Sequence, residues 1–175
     1  VLERWPSGVA RHMVGLALVL QGRREEGIAY LREATTDDPK AHVALGQELF
    51  RDKNYAEAIV QLEAFARKQP MLLEVVSARM TMGLSFLQLK QYPASAREFA
   101  RVLAMVPSHT DAHLGLGDAL FRQEKYEEAL SHYQTYLSRR PGSSDALTTS
   151  AIALAALGRT DEALTLFRTA AQLHP

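Results

Sequence analysis

The stretch GLGDALFRQEKYEEALSHYQTYLSRRP, Gly115 to Pro141, decides how this chain folds. It reads as two amphipathic helices broken near Glu124–Lys125, with Gly117 inside the first. A mid-helix glycine costs about 1 kcal/mol relative to alanine, so a helix that keeps one needs a compensating contact. The rest of the chain shows what that contact is. Six of the seven prolines (Pro6, Pro39, Pro70, Pro107, Pro141 and Pro175) stand 33, 31, 37, 34 and 34 residues apart. Aligning the chain on them superimposes two further columns. One holds Gly15, Gly46, Gly83, Gly117 and Ala151; the other holds Gly27, Ala58, Ser95, Ala129 and Ala163. A side chain that stays small once per unit, whatever surrounds it, marks a place where a neighbouring helix comes close.

Each unit is therefore a helix, a short turn and a second helix, closed by a proline that cannot extend the second helix. The local signals agree. Asn54 with Glu57 reads as a capping box, and Ser108 with Asp111 resembles one with aspartate in the reciprocal role. Pro93 suits the first turn of a helix, and Gly22 and Gly158 suit the turn after the first helix of their units. The expected division is 8–38, 39–75, 76–109, 110–143 and 144–175 within a single array spanning 1–175. Residues 1–7 read as the tail of a preceding second helix, so the chain is expected to be a piece of a longer array. The 37-residue spacing places three extra residues in MLLEVV, Met71 to Val76, and the 31-residue spacing lacks three at Asp38–Pro39. Met71, Leu72 and Leu73 read as an early start of the helix that follows, tucked against the neighbouring repeat.

Composition supports an all-α class and narrows function. Alanine and leucine dominate, and runs of valine, isoleucine and threonine are missing. The 20 basic and 20 acidic residues cancel, which argues against an electrostatic nucleic-acid binder. There are no cysteines, hence no disulfide framework, and the compartment stays open. The longest apolar run, Val14 to Leu20, is too short to cross a bilayer, so no direct membrane insertion is expected. Only unit 76–109 is strongly unbalanced, with Arg79, Lys90, Arg97 and Arg101 against Glu98. It reads as an ordinary solvated face.

These columns resemble the tetratricopeptide repeat family, and the resemblance covers nearly the whole chain. The unit from Thr110 carries Leu116, Gly117, Ala129, Tyr133 and Pro141, with Leu120 where the family has its first aromatic. The unit from Pro39 carries Leu45, Gly46, Ala58 and Pro70. The family's leading tryptophan is replaced throughout, by Arg11, His42, Arg79, His113 and Leu147. The resemblance implies a right-handed α-solenoid of stacked helix-turn-helix repeats whose first helices line a concave groove. It also implies where that groove is lined: three residues before, one after, and four or five after each glycine-aligned position.

In this chain those positions are His12, Leu16, Val19 and Leu20; Val43, Gln47, Phe50 and Arg51; and Met80, Leu84, Leu87 and Gln88. They continue as Leu114, Asp118, Phe121 and Arg122, then Thr148, Ile152, Ala155 and Ala156. The surface so drawn is largely apolar, with Phe50 and Phe121 as anchors and Gln47, Arg51, Gln88, Asp118 and Arg122 as polar handles. One use of the family is to grip an acidic C-terminal tail with a clamp of lysines, asparagines and arginine. Those places here hold apolar residues, glutamine or aspartate. The expected partner is therefore a protein or peptide segment that is apolar or amphipathic. The alternative is a structural role, in self-assembly through uncapped ends or as a spacer attached to an enzyme or a bacterial secretion or polysaccharide-export complex. A terminal helix over 160–174 is expected to expose Leu164, Phe167 or Leu173.

The motifs of catalysis and cofactor binding are missing: no Gly-rich phosphate loop, His-Glu-x-x-His, calcium loop or nucleophile elbow is found. His109 and His113 lie four apart around Asp111, a spacing that places two metal ligands on one helix face. His109, however, is expected to precede its helix and His113 to occupy the tryptophan-aligned packing position. The sequence thus predicts no metal, no cofactor and no enzymatic activity.

Overall fold

The computed structural model describes residues 7–68 and 73–173. Among the described residues there are ten helices and no strand. They are α1 (Gly8–Leu20), α2 (Arg24–Ala34), α3 (Pro39–Arg51), α4 (Tyr55–Lys68) and α5 (Leu73–Gln88). Then follow α6 (Tyr92–Met105), α7 (Thr110–Phe121), α8 (Tyr126–Leu137), α9 (Ser144–Ala156) and α10 (Thr160–Leu173). Two compact units result: the first ends at Leu89 and the second begins at Lys90. The third repeat gives its first helix, α5, to unit one and its second, α6, to unit two.

In unit one, α1 pairs with α2 and α3 with α4, α5 packs on α4, and the first helices α1, α3 and α5 lie side by side. In unit two, α7 pairs with α8 and α9 with α10, while α6 packs on α7 and α8 on α9. Each pair closes over its two small columns, and every residue in both columns is buried. A Cβ added at Gly46 would come within 2.6 Å of Leu62 Cγ; one at Gly117 would come within 2.7 Å of Tyr133 Cε1. The contact that offsets the glycine in the opening stretch is thus a fully buried tyrosine ring from α8. Between repeats the same device recurs with Gly115, where an added Cβ would meet the Phe99 ring at 2.5 Å.

The turns inside the repeats share one conformation. The seventh residue after each glycine-aligned position has positive φ: Gly22 (83°), Lys53 (61°), Lys90 (58°), Glu124 (61°) and Gly158 (76°). The following N–H reaches back into the last turn of the first helix, as Asn54 does to the Leu49 carbonyl at 2.8 Å and Lys125 to the Leu120 carbonyl at 3.1 Å. This is the left-handed C-cap that favours glycine. Glu124 holds it without that freedom. Glu124→Gly is therefore expected to raise the unfolding free energy by about 0.5–1 kcal/mol in a urea titration; a loss of stability would show that the Glu124 side chain matters more than its backbone.

The helix starts correct two sequence readings. Asp38 caps α3, its Oδ1 accepting from the Lys40 N–H at 2.9 Å, and Pro39 occupies the first helical turn rather than closing α2. The cap of α7 is His109, whose Nδ1 accepts from the Ala112 N–H at 3.2 Å; Ser108 lies outside the helix. Asn54 and Glu57 do pair, but side chain to side chain, the Asn54 amide donating to Glu57 Oε2 at 2.8 Å. Pro93 sits in the first turn of α6 as expected. The extended spacing after Pro70 appears as a longer α5 of 16 residues, begun at Leu73. The expected helix remnant before Ser7, and Met71 and Leu72, lie outside the described residues.

Unit one is tied by charge as well as by packing. Glu48, nearly fully buried, accepts from Arg24 Nη2 at 3.0 Å and also pairs with Arg51. Arg24 in addition reaches Asp52 at 2.7 Å, so one guanidinium joins α2 to the end of α3. Among the described residues, no helix is long and apolar enough to cross a membrane.

Candidate functional site

The residues drawn from the repeat pattern occupy three distinct environments. Four after the glycine-aligned column, Val19, Phe50, Leu87 and Phe121 are all half-buried. Five after it, Leu20, Arg51, Gln88 and Arg122 are all exposed. One after it, Leu16, Gln47, Leu84 and Asp118 are again half-buried. On α3, α5 and α7 a half-buried apolar residue (Phe50, Leu87, Phe121) thus lies beside an exposed polar one (Arg51, Gln88, Arg122), while the small column next to it is closed. On α9 the equivalents differ: Ile152, Ala155 and Ala156 are exposed and Thr148 is half-buried.

Within unit one, Gln47 is not a loose handle. Its Nε2 donates to Ser77 Oγ on α5 at 3.0 Å, and Lys40 reaches Glu74 at 2.9 Å along the same α3–α5 seam. Phe50 packs on the cluster of Leu31, Leu45, Leu49 and Ala58 and meets the Tyr55 ring at 5.4 Å and 57°. Arg51 pairs with the buried Glu48 beside it. Met80 and Leu84 on α5 are half-buried and Gln88 is exposed. Val43 is different: it is only 9% exposed and belongs to the core with Leu62, Phe65, Val75, Ala78 and Met82. The early start of α5 brings Val75 and Ala78 against it, so Val43 has almost no surface to offer.

Unit two repeats the arrangement. Phe121 meets the Tyr126 ring at 5.5 Å and 64°, in the register of Phe50 and Tyr55. Leu114 is half-buried and Arg122 is exposed. Asp118 accepts the Tyr133 hydroxyl at 2.9 Å. Burial pushes the Asp118 carboxyl above the ordinary aspartate range, with the Tyr133 hydrogen bond and Arg122 working against it. Burial and the neighbouring carboxylate likewise push the Tyr133 phenol up. Asp118 is thus engaged by its own repeat, and a ligand would meet a carboxylate already holding a hydrogen bond.

Sequence reasoning missed Tyr55 and Tyr126, which orient the two phenylalanines. Their signal was present: each lies five residues after its Phe, at the first position of the second helix. It also missed an open cleft of about 710 Å³ on the other side of unit two, lined by Leu130, Leu137, Leu154 and Leu166 with Arg159 and Glu162. Some of its polar groups are already paired, Ser150 Oγ with the Ala146 carbonyl at 2.7 Å and Arg159 with Glu162 at 2.7 Å. His109 and His113 are not brought together: the first caps α7, and the second faces His132. Among the described residues, no group of three or more His, Cys, Asp or Glu side chains is placed to hold a metal ion.

Comparison with known proteins places this geometry. A tetratricopeptide repeat family model matches residues 12–70 and 80–146, and a second matches 120–175. The chain belongs to the tetratricopeptide repeat family. No curated protein sequence matches it. Solved structures do. MamA (41-end) from Desulfovibrio magneticus RS-1 is 20% identical, covers 95% of this chain and 94% of its own, and superposes with a TM-score of 0.86. MamA AMB-1 is 22% identical over 95% of this chain and 91% of its own, with a TM-score of 0.81. MamA MSR-1 is 21% identical over 95% of each chain, also at 0.81. At these identities the likeness establishes the fold. Tetratricopeptide membership and that fold together support a protein-interaction scaffold.

Proposed function

We propose that this chain is a non-enzymatic scaffold, a single tetratricopeptide array whose first helices hold an apolar or amphipathic peptide segment of a partner protein. The observation that carries this reading is the recurring stripe: Phe50 and Phe121 half-buried, each against a tyrosine ring, beside exposed Arg51 and Arg122. An aromatic ring fixed by a neighbour loses little entropy on binding, and a polar rim excludes water around it. The groove residues assigned are Gln47, Phe50, Arg51, Met80, Leu84 and Gln88 in unit one. In unit two they are Leu114, Asp118, Phe121 and Arg122, with Val43 as packing support beneath.

The test uses fluorescence anisotropy with two labelled probes, an amphipathic helical peptide and a short acidic C-terminal peptide. The amphipathic probe is expected to bind more tightly, and Phe50→Ala with Phe121→Ala to weaken it roughly tenfold, about 1.4 kcal/mol. Preference for the acidic probe, or indifference to both substitutions, would overturn the reading. A second reading, self-association, has one observation in its favour. On α10, Leu164, Phe167 and Leu173 are 46%, 38% and 41% exposed. Sedimentation that depends on concentration, with neither probe bound, would favour it over peptide capture.

A further inference from the structure

The tryptophan-aligned position of two repeats carries a histidine that bridges its helix pair. In the second repeat, His42 Nδ1 on α3 meets Gln61 Oε1 on α4 at 2.8 Å. In the fourth, His113 on α7 meets the residue at the same register of α8, which is His132, Nδ1 to Nδ1 at 3.0 Å. The two rings are 5.3 Å apart between centroids and tilted by 34°. One repeat thus makes with a glutamine, which does not titrate, the bridge that the other makes with a second imidazole.

The hydrogens can be assigned. His113 Nε2 faces the Pro107 carbonyl at 3.2 Å. A carbonyl only accepts, so Nε2 carries the hydrogen and Nδ1 of the neutral ring is bare. His132 therefore donates its Nδ1–H to His113 Nδ1. A first added proton goes to Nε2 of His132 and leaves this bond intact. A second has nowhere to go but Nδ1 of His113, where it confronts the N–H of His132 across 3.0 Å. We propose that the His113–His132 pair is a proton-operated latch between α7 and α8, closed with one hydrogen between the facing nitrogens and opened when acid places one on each.

The surroundings resist charging of the closed pair. Half-burial, then the neighbouring His113, lower the proton affinity of His132, while Glu128 one turn earlier on α8 works the other way. Several charges on the packed helices already have partners. Asp111 on α7 holds Arg140 at 3.5 Å, Arg139 donates to the Ser108 carbonyl, and on α6, which packs on α7, Glu98 pairs with Arg101. Asp145, on α9 against α8, is exposed. The folded pair accordingly takes up fewer protons than two imidazoles in the unfolded chain. Its contribution to stability is fully present above the ordinary histidine pKa of about 6.5 and is lost as pH falls from there through the lowered folded-state value of His132. This inference stands apart from peptide binding and does not depend on it.

His132→Gln places a glutamine at the register of Gln61, its amide N–H donating to the bare Nδ1 of His113, and removes the second titrating ring. Thermal melting of both proteins with chelator, at about pH 7.5 and about pH 5, is the test. The wild-type chain is expected to lose roughly 2–4 °C more than the variant over that interval. The variant cancels the pH response of the other histidines, which both proteins share. Nuclear magnetic resonance titration of the ring C–H signals in the wild-type chain reads the pair directly, whether or not the variant folds. One of the two rings should titrate below the ordinary value. Parallel pH slopes in the two proteins, or two rings titrating independently at the ordinary value, would overturn the latch.

Discussion

Tyr133→Ala is expected to cost roughly 3–5 kcal/mol of unfolding free energy, the range for removing a fully buried aromatic ring. Two interactions disappear together. The ring is 0% exposed and fills the space above Gly117, whose missing Cβ leaves room for its edge. Alanine would open a cavity against a glycine, which has no side chain of its own to fill it. The hydroxyl that Asp118 accepts at 2.9 Å would go as well, leaving a carboxyl in a setting that already disfavours its charge.

Two further substitutions divide the total. Tyr133→Phe keeps the ring and loses only the hydrogen bond, for about 0.5–1.5 kcal/mol. Tyr133→Leu reproduces the residue that the second repeat uses against Gly46, Leu62, and should fall between the two. Urea titrations at constant m-value order the three. If alanine costs less than about 1 kcal/mol, the α7–α8 contact is not what holds the fourth repeat.

That contact was legible in the sequence because it depends on a period. The small columns and the prolines recur at nearly fixed spacing, and repetition distinguishes a packing requirement from chance composition. What did not repeat was harder to read. Glycine marked the left-handed turn at positions 22 and 158, whereas Lys53, Lys90 and Glu124 adopt the same φ with no compositional sign. The turn is enforced by hydrogen bonds back into the preceding helix, and these act on any residue placed there. The cap of α7 went to His109 rather than Ser108 because the position in the chain, not the better side chain, decides which residue precedes the first helical turn.

The candidate site was legible in register and not in depth. Periodicity placed Phe50 and Phe121 on equivalent faces, and both are half-buried beside exposed arginines. It also placed Val43 in that series, because a spacing rule assumes that every neighbouring helix is equally long. The longer α5 buries it under Val75 and Ala78. Gln47 and Asp118 were read as free handles because a sequence does not show that Ser77 and Tyr133 lie across from them.

Gly27→Ala is expected to destabilise the chain by roughly 2 kcal/mol, although alanine is the better helix former by about 1 kcal/mol. The sign is what makes the measurement decisive. A Cβ at Gly27 would sit 2.7 Å from the Gly15 carbonyl oxygen, 2.7 Å from Val19 Cγ2 and 3.0 Å from the Val19 nitrogen. Two of these three atoms are backbone, and no rotamer change moves them aside. The other repeats carry Ala58, Ser95, Ala129 or Ala163 at this position, so the column as such accepts a Cβ. The first repeat does not, because it alone pairs glycine with glycine. An added Cβ on Gly15 would stand 3.0 Å from the Gly27 carbonyl, against 3.3 Å for the matching pair Gly46 and Ala58. The helices α1 and α2 therefore approach more closely than α3 and α4, and the overlap has to be relieved by separating whole helices. Gly142→Ala is the control, since a Cβ there meets nothing within 4 Å. A stabilised Gly27→Ala protein would mean that propensity governs α2 and that α1 does not press on it.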